Sequence, residues 1–232
     1  MAPPRPSRNL DRALLAAGRE LFPTRGCAGL SVREVADAAG VNLGMFHYHF
    51  KSREAFLRAV LQSVYEEMFA ELSQRAQGIA HVNEAAASID FLRRALQFMG
   101  RFVRANRAIL SRVLSDALCA EPIANEFLER NMPRHLGLLL GIVEAGQKDG
   151  SFRPLPAPQL LGFCAGSLAM PILLGGAIAE RLSGSAEARA IEAALLSDEA
   201  LDQRIELALA AIANPREKVR PKTPARRKRG KP

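Results

Sequence analysis

The side chains best suited to chemistry in this chain of 232 residues gather between Ser31 and Phe50, in the run SVREVADAAGVNLGMFHYHF. There His47, Tyr48 and His49 follow Asn42, Leu43 and Met45, so imidazole, phenol and amide groups sit together as hydrogen-bond donors and acceptors. A metal site is the weaker reading, because residues i and i+2 of a helix point to different sides. His81 and His135 are isolated. Cys27, Cys119 and Cys164 are odd in number and widely spaced, which fits neither a disulfide framework nor a CxxC site and points to a reducing cytoplasm. No nucleophile with its base, phosphate loop or metal cluster stands out, so the chain reads as a non-enzyme with no cofactor and no metal. Arg101, Arg104, Arg107 and Arg112 could line an anion site, but a solvated helical face is the commoner origin of such spacing.

The partner of the 31–50 run is suggested by charge. The net charge is +8, and residues 214–232 alone hold nine Lys/Arg against one Glu. Residues 1–60 hold nine against five acids, and residues 61–213 hold fourteen against eighteen. Basic ends around an acidic middle imply that a polyanion meets the ends. Nucleic acid and an anionic membrane both satisfy this.

The elements that must hold these residues are helical. With 48% hydrophobic residues, no Trp and two Tyr, an aromatic-rich β-sandwich or barrel is disfavoured. Met1 to Asn9, MAPPRPSRN, has no apolar run behind it, so no secretory signal is expected. Residues 1–8 read as a disordered basic arm and 214–232 as a disordered basic tail. Leu10, Leu14, Ala17 and Leu21 mark a first helix, with Asn9 as N-cap and Gly26 as its stop. Ser31 and Glu34 form a capping box for a short second helix ended by Gly40, and Asn42 caps a third reaching about Phe50. Ser52 opens a long fourth helix carrying Phe56, Val60, Val64 and Phe69 to about Gly78. Further helices are expected around Ile89–Val103, Ile109–Leu118, Ile123–Asp149 with a break at Pro133, 157–182 and 198–213.

Two short capped helices joined by Gly40-Val41 form a helix-turn-helix, in which Phe46 and Phe50 face inward and the polar and aromatic tips face a major groove. Arg33, Lys51 and Arg53 flank it. The run LFPTRGCAGLSVREVADAAGVNLGMFHYHFKSREAFLRAVL, within residues 9–60, resembles the TetR family of bacterial transcriptional regulators. The resemblance implies an all-α fold. An N-terminal three-helix DNA-binding domain (9–60) would precede a larger helical domain for effector binding and dimerisation (61–213). It also assigns DNA contacts to Ser31, Arg33, Asn42, Leu43, Met45, His47, Tyr48, His49 and Lys51, with His49 and Lys51 on phosphates. In two places the chain departs from the family pattern. His47 replaces a Tyr, and Cys27 replaces an interhelical aromatic, which implies a looser domain core. By the same resemblance, the helices at about 157–182 and 198–213 form a homodimer bundle.

Residues 154–179 carry no charge, and GFCAG at 162–166 has the spacing of membrane helix pairs. Pro171 and Gly175-Gly176 leave only about 160–170 as uninterrupted apolar helix, short of the ~20 residues a span needs, so a buried helix is the reading and no membrane partner is expected. The alternative is a peripheral membrane-surface protein using this segment and the basic tail. The body also holds more large apolar side chains than a dimer seam requires. Phe98, Met99, Phe102, Leu118, Phe127, Val143, Phe163 and Met170 are therefore expected to line a cavity for a small hydrophobic effector, with Arg94, Arg101 or Arg104 available for a negative group. The whole reads as a cytoplasmic repressor that binds double-stranded operator DNA, with a palindromic site, and is released by that effector.

Overall fold

The computed structural model describes residues 8–76 and 85–215. The basic arm up to Ser7, His81, Gly78 and the tail from Arg216 onward lie outside these residues. Helix α1 (Arg8–Gly29) begins a residue before the expected Asn9 cap and does not stop at Gly26; it bends there and adds a last turn. Gly26 has φ 65°, and a Cβ on it would collide with the Arg112 guanidinium, so glycine meets both a left-handed backbone and a close approach. The helices α2 (Val32–Ala38), α3 (Leu43–His49) and α4 (Arg53–Ala76) follow. Leu14, Phe22, Leu30, Phe46, Phe56 and Leu57 are buried between them, and the Phe46 and Phe56 rings meet edge to face at 5.1 Å. Each such side chain contributes roughly 1.5–3 kcal/mol by leaving water.

The body consists of α5 (Ala85–Ala105), α6 (Arg107–Leu118), α7 (Pro122–Lys148), α8 (Ala157–Arg181), α9 (Ala186–Ile191) and α10 (Asp198–Ile212). A π-helical turn, Glu192–Leu196, joins the last two. Two expected interruptions are absent. Helix α7 runs through Pro133, where the Asn131 side-chain amide donates to the Phe127 carbonyl (2.9 Å) and the Tyr65 hydroxyl to the Asn131 carbonyl (2.8 Å). Helix α8 runs through Pro171 and Gly175-Gly176 because its inner face, including Leu168, Ile172 and Ala179, is buried in the body. Gly176 leaves room for the Arg107 stem. Tertiary packing outweighs the local cost of proline and glycine in both helices. Helix α8 is accordingly long and apolar enough to cross a membrane by length and composition, although it lies packed along one side in this fold.

Contacts at the helix ends define two poles. At one, the start of α5, the end of α7, the start of α8 and the end of α10 converge: Phe152 bridges to Ala213, and the Arg153 amide donates to the Ile212 carbonyl at 2.9 Å. Ser88 of α5 and Gly146 of α7 abut there, beside the Phe152 ring. At the other pole the far end of α8 meets the head: Ala177 and Glu180 share a cleft with Pro23 and Thr24 of α1 and with Arg107 of α6. The head's apolar cluster continues past residue 60 through Leu61 and Val64 into Ile109, Val113, Ile123 and Ala124. Head and body are therefore joined by a shared core rather than a linker.

Candidate nucleic-acid interface

The second and third helices are fixed by side chain to backbone hydrogen bonds. The Ser31 hydroxyl accepts from the Glu34 amide (3.1 Å), and Glu34 answers by accepting from the Ser31 amide (3.4 Å). The Asn42 carboxamide oxygen accepts from the Met45 amide at 2.9 Å. Gly40 takes φ 64° in the turn. These caps satisfy amides that a seven-residue helix cannot satisfy by itself. Phe46 anchors α3 inward, and this sets what the other residues can do: Asn42, Leu43, Gly44, His47 and Tyr48 are exposed, with Tyr48 at 66%. Met45 is half-buried.

Cations around α3 divide by their partners. Arg25 pairs with Glu34, Arg19 with Glu67, and Arg58 with Glu126, at 2.9, 2.7 and 2.8 Å. Arg53 is an internal clamp: its guanidinium donates to the carbonyls of Cys27, Ala28 and Leu30, closing the end of α1. Arg33 and Lys51 are exposed, and no ion pair is formed by either among the described residues. They are the free positive charge on either side of the exposed face of α3.

His49 departs from its expected phosphate-facing place. Its side chain is only 11% exposed, and Nδ1 contacts the Asp11 carboxylate of α1. Asp11, which sequence reasoning passed over, thus holds the end of α3 against α1. Gly44 was also passed over; it is exposed, and a Cβ there would meet only the Asn42 oxygen at 3.3 Å. A glycine inside an otherwise periodic helix was the available signal.

The expected looseness around Cys27 is overturned. Cys27 is fully buried, and its amide donates to the Asp116 carboxylate of α6 at 2.7 Å. Asp116 also accepts from Arg112 Nε at 2.8 Å, and Arg112 donates to the Arg25 carbonyl at 3.3 Å. Burial, reinforced by the neighbouring Asp116 carboxylate, pushes the Cys27 thiol up to about 12. A small side chain here makes room for a polar latch between α1 and α6.

The residues expected to line an effector cavity do not gather in one place. Phe98, Met99, Phe102 and Phe127 are half-buried against the body core, and Val143 lies within it. Leu118 is 80% exposed at the end of α6, while Phe163 and Met170 point outward from α8. The arginines proposed for a negative group are engaged elsewhere. Arg104 binds Asp198 (2.7 Å), Arg101 lies 3.5 Å from Asp198 and Asp202, and Arg94 covers the Phe91 ring.

The capped helix-turn-helix presents polar and aromatic tips between Arg33 and Lys51, which form no ion pair among the described residues, and this is a form suited to meeting a nucleic-acid groove. Residues 14–60 match the family model described as bacterial regulatory proteins, tetR family. The chain is 29% identical over 151 residues to the HTH-type transcriptional repressor KstR2 of Rhodococcus jostii (strain RHA1), spanning 60% of this chain and 66% of that protein. It is 27% identical over 163 residues to the KstR2 repressor of Mycolicibacterium smegmatis, covering 66% and 74%. Among solved structures, the regulator FadR from Bacillus subtilis in complex with stearoyl-CoA superposes with a TM-score of 0.61 at 17% identity, over 87% of this chain and 98% of that one. The chain is thus similar to TetR-family transcriptional regulators, with the family model matching its helix-turn-helix head.

Proposed function

We propose that the protein is a homodimeric cytoplasmic repressor whose two α3 helices read a palindromic operator and whose body, roughly residues 61–213, takes up a small hydrophobic effector that releases the DNA. The observation that carries the DNA reading is the exposed face of α3, where Leu43, His47 and Tyr48 stand between unpaired Arg33 and Lys51. Tyr48, His47 and Asn42 read base edges; Lys51 and Arg33 hold phosphates. His49 positions α3 through Asp11 and makes no phosphate contact of its own.

Dimerisation is supported by α8. Phe163, Met170, Leu174, Ile178 and Leu182 lie exposed along one side of it, with Leu207 exposed on α10. Large apolar side chains in such a row are stable in water only when covered. For the effector, the half-buried cluster of Phe98, Met99, Phe102 and Phe127 offers an adaptable apolar wall, and the stearoyl-CoA held by the Bacillus subtilis relative supports a long-chain acyl class. Membrane association through α8 is the lesser reading, since the family accounts for that apolar face as a subunit contact.

Selection of duplexes from a random pool tests this. The expected product is a two-fold symmetric site with half-sites about 34–36 Å apart. Lys51→Ala should weaken all duplexes alike and lower the salt slope by about 1, whereas Tyr48→Ala should cost about 1–3 kcal/mol at particular base pairs. Unchanged affinity in both variants would refute α3 as the reading helix.

A further inference from the structure

The four arginines spaced along α5 and α6 separate into two pairs. Arg101 and Arg104 meet carboxylates of α10, whereas Arg107 and Arg112 line the cleft between head and body. The cleft holds about 410 Å³ and is walled by Thr24 of α1, by Arg107, Ser111, Arg112 and Ser115 along one side of α6, and by Glu180 of α8. Small-molecule sites occupy about 300–1,000 Å³, so the volume suffices for a ligand.

Each of the two arginines is housed by a glycine from a different element. A Cβ on Gly26 of α1 would collide with the Arg112 guanidinium, and a Cβ on Gly176 of α8 would come within 2.7 Å of Arg107 Cδ and 3.0 Å of its Nε. The side chains are accordingly only 35% exposed for Arg107 and 31% for Arg112. Arg112 donates Nε to Asp116 and Nη2 to the Arg25 carbonyl, and its Nη1 makes no hydrogen bond among the described residues. Arg107 makes none there at all: Nη2 lies 3.3 Å from the Glu180 carboxylate as an ion pair only, and Nε is buried without a partner. The Ser111 and Ser115 hydroxyls are likewise without hydrogen bonds among the described residues. What the cleft leaves unmet is therefore a set of donors, gathered where partial burial makes an absent acceptor costly. Two guanidinium groups repel a cation, and an oxyanion supplies the acceptors. Glu180 stands in the way, but its pairing with Arg107 is exposed and weak beside the charge-assisted bonds of a fitted anion.

We propose that this cleft binds a small oxyanionic molecule, a phosphate ester or a carboxylate, which replaces Glu180 at Arg107 and accepts from Arg112 and the Ser111 and Ser115 hydroxyls. The site is separate from the apolar wall around Phe98 and Phe102 and does not rest on the operator reading. Because one wall is α1 and the others are α6 and α8, a bound molecule ties head to body. Glu180 lies about a third of a turn around α8 from Leu174, so the cleft opens beside the row given to the subunit contact and not within it.

The test titrates the full chain, free of DNA, with pyrophosphate and separately with glutarate in a calorimeter at constant ionic strength. One site per chain is expected for at least one probe, and the tighter probe assigns phosphate or carboxylate as the class. Arg107→Gln should weaken that binding by at least about tenfold, and Ser111→Ala by about threefold to tenfold. Glu180→Gln should tighten it by about twofold to fivefold, because the competing carboxylate is gone. If Arg107→Gln fails to fold, the opposite shifts of Ser111→Ala and Glu180→Gln still decide the question. No saturation by either probe up to about 10 mM overturns the proposal. Binding that the substitutions leave unchanged belongs to other cations of the chain and overturns it equally.

Discussion

Helices α3 and α8 both send large side chains into solvent, and the two surfaces differ in chemistry in a way that suits opposite partners. On α3 the exposed groups are a phenol, an imidazole and a carboxamide flanked by free cations, on a helix too short to persist without its caps and its Phe46 anchor. On α8 they are Phe163, Met170, Leu174 and Ile178, on a long helix held by its inner face. A hydrated, charged partner is met with polar tips that need exact placement, so the chain invests in caps, an Arg53 clamp and the His49–Asp11 contact. An apolar partner needs only area and shape, and α8 supplies these with few hydrogen-bonding demands.

Breaking the α8 side of this comparison should have the largest effect. Leu174→Asp together with Met170→Asp places charge on the row that the dimer reading covers. Sedimentation should show monomers where the parent is dimeric, and operator affinity should fall on the order of a hundredfold as two half-site contacts become independent. A variant that remains dimeric with unchanged affinity would place the subunit contact elsewhere.

The joint between the two regions is the next target. Asp116→Ala removes the acceptor for the Cys27 amide and for Arg112, leaving a buried donor unsatisfied. The expected loss is about 2 kcal/mol, discounted because Arg112 is partly exposed, and thermal unfolding should move down by about 4–8 °C. If the latch also transmits effector binding, effector-induced release of operator should weaken in this variant. Full thermal stability would show that Asp116 is dispensable to the junction.

The smallest effect compares the two cores through their thiols. Burial raises Cys27 to about 12 and Cys164 to about 11, while Cys119 is exposed. At pH 8.5 iodoacetamide should modify Cys119 alone in the folded protein and all three cysteines in denaturant, as read by peptide mass spectrometry. The folded Cys27 keeps its proton where the unfolded thiol, with an ordinary value of 9.0, releases it. Its contribution to stability is therefore present below pH 9 and declines as pH rises toward 12. Rapid labelling of Cys27 in the native state would mean that the head core opens more readily than the body core.

The sequence alone determined the local architecture of the head. Ser31 with Glu34, Gly40, and Asn42 are signals read within a few residues of where they act, so both short helices, their caps and the exposed tips of α3 were legible. Helical periodicity likewise placed most of the body. What only the tertiary structure decided depends on residues far apart in the chain. The continuity of α7 through Pro133 and of α8 through Pro171 follows from packing that offsets a local cost. The turning of His49 toward Asp11 and the tying of Cys27 to Asp116, 89 positions away, follow from which helices come to lie side by side. The assignment of Phe163 and Met170 to an outer face, when a cavity was expected, has the same origin. Periodicity states that a helix has an apolar side, but which body of atoms that side meets is settled only when the helices are assembled.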